Sequence, residues 1–139
     1  MQLICLGKPG VNLYRILADS KTSRHILRFY HPKELIVGIS VEISTISSGL
    51  ALLSELRWYI MRYMQEVIIE DTEHEVYLTK NLAREAYESR SVILSQTWET
   101  RFYICITKDG GLLRLPESTS ELDDVITRYP IWGLPGEYP

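Results

Sequence analysis

The chain carries little that announces a chemistry. Only two of its 139 residues are cysteine and two are phenylalanine. No apolar run approaches the ~18 residues needed to cross a bilayer. The opening MQLICLGKPG has neither the basic region nor the apolar stretch of a secretory signal. Cys5 and Cys105 lie in separate apolar runs without CxxC spacing. This predicts free buried thiols in a cytoplasmic protein rather than a disulfide or a thiolate metal site. GxGxxG, GxSxG and HExxH are absent, and GKPG lacks the GxxxxGK[ST] frame that wraps a phosphate, so it reads as a turn. No cofactor and no metal are expected.

What is present is globular. Hydrophobic residues make up 45%, with eight Gly and six Pro, and the length suits one hydrophobic core rather than two. The formal charge of -3 conceals an asymmetry. Residues 1–69 carry eight Lys/Arg against five Asp/Glu, whereas residues 70–139 carry seven against thirteen. A generic polyanion binder normally has a strong positive excess, and this chain has none overall.

Along the chain, QLICLG reads as a strand, Lys8-Pro9-Gly10 as a turn, and VNLYRILA as a second strand, giving a hairpin over residues 1–18. RHILRFYH reads as a third strand, with Arg24, Arg28 and Tyr30 on one face. ELIVGISVEIS is a β-branched strand in which Gly38 marks a bulge or a close backbone approach. From Ser48 to Glu66 the apolar residues recur three and four apart, predicting one long helix capped by Ser47 or Ser48 and carrying an Arg62–Glu66 pair. An acidic segment, IIEDTEHE, leads into a strand VYLT and a helix LAREAYES. SVILSQTW is a further strand, and RFYICITK-DG-GLLRLP is a hairpin. Residues 118–129 match helical spacing with a Ser118/Glu121 capping box, and Pro130 ends that helix.

The expected fold is α+β: a mainly antiparallel sheet of six or seven strands, with one long central helix and one or two shorter helices on one face. Residues 1–130 form a single domain, and the Pro/Gly/aromatic tail 131–139 docks through residues 131–134.

Three function classes compete. Nine Tyr and three Trp against two Phe favour half-wet surfaces, because Tyr and Trp pair an apolar body with a polar edge. Trp58, Met61, Trp98, Tyr103, Trp132, Leu134 and Tyr138 are the candidate protein-interface residues, each of which would otherwise simply pack into the core. Lys21, Arg24, Arg28, Tyr30 and Lys33 are candidate nucleic-acid contacts, pairing phosphate charge with stacking. For catalysis, the spacing offers only His25 or His31 meeting a carboxylate of residues 70–75. Histidines on a half-buried strand face are more often satisfied by ordinary hydrogen bonds, and that reading is the favoured one. The residues favour a non-enzymatic protein-interaction or structural module, self-associating or binding a partner protein. Nucleic-acid binding through residues 21–33 is the alternative, followed by a small enzyme with an unrecognised site.

Overall fold

The computed structural model describes residues 1–73, 75–89, 98–119 and 124–138. It is α+β, with five helices and one mixed eight-stranded sheet among these residues. The strands are β1 (Gln2–Gly7), β2 (Lys33–Leu35), β3 (Gly38–Glu42), β4 (Met64–Asp71), β5 (Val76–Thr79), β6 (Arg101–Thr107), β7 (Leu112–Pro116) and β8 (Val125–Trp132). Their order is β2-β3-β1-β4-β5-β8-β6-β7. Every neighbouring pair is antiparallel except β5 and β8, which run parallel over only Tyr77↔Ile131 and Leu78↔Trp132. No helix among the described residues is long and apolar enough to cross a membrane.

Strand β1 is apolar on both sides because both sides are buried. Leu3 and Cys5 enter a core shared with the helices, while Ile4 and Leu6 enter a second core with Ile68, Phe102, Ile104, Ile106 and Ile131. That second core joins strands far apart in the sheet order, so the sheet curls back on itself. Gln65 Nε2 ties the fold-back by donating to the carbonyl oxygens of Gly7 at 3.0 Å and Gly110 at 2.8 Å. Gly38 is a close backbone approach: a β-carbon there would collide with the Cys5 carbonyl oxygen.

The expected hairpin over residues 1–18 is corrected. After the Pro9-Gly10 turn the chain enters helix α1 (Leu13–Asp19), capped by Asn12, whose side chain accepts from the Arg15 amide at 3.1 Å. Leu13 and Leu17, four apart, supply its buried stripe. Helix α2 (Lys21–Ile26) replaces the expected third strand. The run ELIVGISVEIS is two strands, β2 and β3, joined by a turn at Ile36-Val37.

The long helix is also corrected. Helix α3 (Ile46–Glu55) starts at Thr45, which exchanges capping bonds with Ser48. It ends at Leu56, and α4 (Arg57–Tyr63) follows. The chain is already in β4 at Met64, so Glu66 reaches Arg114 rather than Arg62.

Helix α5 (Lys80–Ser89), strand β5 and the β6–β7 hairpin fall where the spacing places them. The expected strand 91–98 lies outside the described residues apart from Trp98. The expected helix 118–129 gives way to β8 from Val125, with residues 120–123 outside the description. Val125, Ile126, Thr127 and Ile131 are β-branched, and this composition describes the segment better than its i, i+3, i+4 spacing. Pro130 is tolerated in the strand because the β5 ladder reaches only Ile131 and Trp132. The boundary at residue 130 therefore falls inside a strand.

Candidate functional site

The helical layer is where exposed aromatics and basic charge meet. On α4, Trp58 and Met61 are three apart and remain 52% and 69% exposed, so both project to solvent from one side of the helix. The Arg62 guanidinium lies 4.3 Å from the centre of the Trp58 ring. Tyr59 and Tyr63 meet the same indole edge-on, at 5.0 and 6.0 Å. The indole is thus held in place while half its surface stays open.

A hydrogen bond ties α4 to the first two helices. The Tyr59 and Ser20 hydroxyls are 2.5 Å apart, and Ser20 is the junction between α1 and α2. The Tyr59 ring is buried, and burial pushes its phenol up. Hydrogen bonds from Ser20, Ser23 and Thr22 outweigh that and lower it below its ordinary value. Ser23 is itself buried and donates to the Leu17 carbonyl at 2.6 Å.

The basic candidates decorate this layer, though not as a strand face. Lys21 and Arg24 are exposed on α2. Arg28 follows the helix, donates to the His25 carbonyl at 2.6 Å, and lies 4.7 Å from the Phe29 ring centre. Phe29 is 79% exposed, an aromatic that residue spacing does not single out. Tyr30 is half-buried against the helical core, and Lys33 stands apart on edge strand β2. The strand geometry that would align Arg24, Arg28 and Tyr30 fails because Arg24 stands on α2, whereas Arg28 and Tyr30 lie in the turn that follows it.

Three of the aromatic-surface candidates are half-buried packing residues. Trp98, Trp132 and Leu134 pack against the helical core, and Trp98 Nε1 donates to the Gly133 carbonyl at 2.8 Å. Tyr138 stacks on Phe102 at 5.3 Å over the second core. Tyr103 is half-buried with the Arg128 guanidinium 4.5 Å from its ring centre. Of the seven, Trp58 and Met61 are the two that present open surface.

Two of the recesses among the described residues border α1. A cleft of about 370 Å³ lies between the Gly7–Leu13 loop, the Ile36-Val37 turn and the Lys108–Gly110 turn. Lys8 and Lys108 face Glu34 and Asp109 there, so its charges balance. The Asp109 carboxyl is held below its ordinary value by the Thr107 hydroxyl and the Gly111 amide. The other recess is a smaller apolar slot of about 150 Å³ between α1 and α2.

The chemistry available for catalysis is thin. Burial pushes the Cys5 thiol up to about 12 and raises Cys105 as well, although Arg128 opposes the latter, so neither is an activated nucleophile. His25 and His31 are exposed, and His74 lies outside the described residues. No group of three metal-ligating side chains occurs among the described residues.

Residues 1–103 match the model of a family of unknown function, DUF5804, and the chain belongs to that family. No curated protein and no solved structure matches it. The matched stretch contains the five described helices, including Trp58, Met61 and the α1 and α2 walls of the apolar slot.

Proposed function

We propose that this DUF5804 protein is a non-enzymatic docking module that binds a partner protein through its helical layer. The observation that carries the reading is the Trp58–Met61 pair, exposed on one side of α4. Both residue types suit docking, since Trp supplies a large rigid contact and Met adapts to an irregular opposing surface. The Arg62 stack and the Tyr59 and Tyr63 edges pre-order the indole, which lowers the entropic cost of docking.

A different protein fits this surface better than a second copy. Two-fold pairing on α4 would bring the Arg57 and Arg62 of one copy towards those of the other, and like charges across an interface oppose association. Two buried, unpaired thiols suit a reducing compartment such as the cytoplasm.

Photo-crosslinking tests the reading. With p-benzoylphenylalanine at position 61, one discrete adduct is expected, and it should disappear in a Trp58→Ala background. The same label at position 113 on β7 provides the comparison. Adducts of equal yield from both positions, or adducts indifferent to Trp58→Ala, would refute docking through α4.

Nucleic-acid binding is the second reading, and the Tyr59–Ser20 bond favours it by placing basic α2 against basic α4. Arg62 on Trp58 and Arg28 on Phe29 would then serve as stacking platforms. Salt-sensitive retention of an oligonucleotide, lost in the Arg24→Gln/Arg62→Gln double variant, would promote this reading over the first.

A further inference from the structure

We infer that the slot between α1 and α2 is an anchor pocket for one apolar side chain of an acidic partner segment. A carboxylate beside that side chain would pair with Arg24. The inference rests on the helical layer being a docking surface and adds the chemistry of what docks there.

The slot is built for an apolar group. Its floor is buried Leu17, Leu27 and Ile39, from α1, the end of α2 and β3. Ala18 and Pro32 form its sides. At about 150 Å³ it matches the volume in which an engineered apolar cavity holds a benzene ring, so a Leu, Met or Phe side chain is the right size. The slot is open to solvent, and an apolar group that fills it removes apolar surface from water.

Its mouth selects for acid. Arg24 and Tyr14 line the rim, and both are exposed. Lys21 and Arg28 flank Arg24 in the chain, and none of these three cations enters an ion pair among the described residues. Arg24 is the cation that lines the slot, with Lys21 and Arg28 three and four residues away in the chain, so in a chain that is acidic overall this positive stretch is a local feature. A guanidinium at the rim can take a carboxylate in a bidentate pair while the neighbouring side chain fills the slot.

The same features argue against a nucleobase. A base carries donors and acceptors on its edges, and Leu17, Leu27, Ile39, Ala18 and Pro32 offer no side-chain partner for them. A base inserted there would leave polar groups unpaired at a cost that stacking must overcome. Nucleic-acid contact therefore belongs to the open Trp58 and Phe29 platforms and not to the slot.

Methyl-detected NMR of the intact chain provides the test, with the capped tripeptide Glu-Phe-Glu as probe. Saturable shifts are expected at the methyls of Leu17, Ala18, Leu27 and Ile39. The capped tripeptide Gln-Phe-Gln should bind more weakly, by about five-fold, the order expected of a partly exposed charge-assisted pair. Arg24→Gln should erase that difference, and Ala18→Leu, an exposed change that fills the mouth, should remove the shifts. Equal affinity for the two tripeptides would refute acid selection, and shifts that persist in Ala18→Leu would refute the slot. Shifts confined to the Met61 methyl would also overturn the slot while leaving α4 docking standing. Equivalent slot-methyl shifts from a thymidine trinucleotide would replace the proposal with nucleic-acid binding.

Discussion

Arg114 on β7 and Glu66 on β4 pair at 2.7 Å, although three strands lie between theirs in the sheet. The contact exists because the sheet curls, and it closes the second core from one side. Arg114 also donates to the Glu137 carbonyl at 2.8 Å, so one guanidinium joins β4, β7 and the tail.

Glu66→Gln should therefore cost about 1 kcal/mol, since the pair is partly shielded but not buried. Urea denaturation of Glu66→Gln, Arg114→Gln and the double variant checks it. A coupling energy near zero would mean the pair forms without holding the curl.

Leu56 and Ile60 separate the two-helix geometry from a single long helix. A continuous helix would bury both on one stripe, whereas Leu56 is fully buried at the α3–α4 break and Ile60 only partly. Leu56→Ala should cost roughly 2–5 kcal/mol and Ile60→Ala clearly less. Equal losses in chemical denaturation would contradict the break.

The tail should behave as a latch on α5. Glu137 accepts from the Thr79 hydroxyl at 2.7 Å, the Leu134 amide at 2.7 Å and the Asn81 side chain at 3.3 Å. Thr79 in turn accepts from the Leu82 amide in the first turn of α5. Glu137→Ala should lower stability by about 1–3 kcal/mol, because several donors lose a charged acceptor together. A thermal scan showing no change would place the tail outside the cooperative fold.

Alkaline stability should depend on Tyr77. Burial, then the hydrogen bond and charge of Glu70, push its phenol from an ordinary 10.0 up to about 12. Below pH 10 both folded and unfolded chains keep the proton. Between about pH 10 and 12 the unfolded phenol ionises while the folded one does not, so stability falls as pH rises through that window. Tyr77→Phe should flatten this limb in a pH series of denaturation midpoints. An unchanged slope would assign the loss to Cys5 and Tyr129, which burial also raises.

Tyr59→Phe should cost about 1 kcal/mol through loss of the bond to Ser20. It should also broaden the Trp58 environment, because α4 loses its tie to α2. Time-resolved indole fluorescence reads the second effect, and an unaltered decay would show that packing alone positions Trp58.

The C-terminal hairpin was legible because Asp109-Gly110 sits between two β-rich runs, and Gly110 does adopt φ 87°. The N-terminal third misled for a physical reason. In VNLYRILA and RHILRFYH, short apolar spacings satisfy both periods; Asn12 caps the first helix with its side chain, while Ser20 precedes the second without a side-chain capping bond and spends its hydroxyl on Tyr59. The apolar stripe from Leu52 to Tyr63 was helical as expected, but nothing in its spacing marked the break at Leu56 or the start of β4 at Met64. At β8 the competing signals reversed: a capping-box motif and Pro130 suggested a helix with a stop, and β-branched residues prevailed once β6 offered a seven-residue partner. Trp58 and Met61 fall off the Leu56–Ile60 stripe, which left little polar circumference and suggested a helix covered on more than one side, whereas both stand exposed. The slot was not readable, since it depends on α1 and α2 lying side by side, which the strand reading forbade.

The second core also sets a timetable for synthesis. Ile4, Leu6 and Ile68 come from the first half of the chain, and the residues that cover them, from Phe102 to Ile131, come from the last third. A ribosome releases the amino end first. Until β6 and β8 have emerged, the nascent chain displays one complete side of β1 and β4 with no mate, an adhesive strip of isoleucine and leucine. For that interval, a ribosome-associated chaperone or rapid elongation through residues 102–131 is the natural safeguard against sticking to a neighbour.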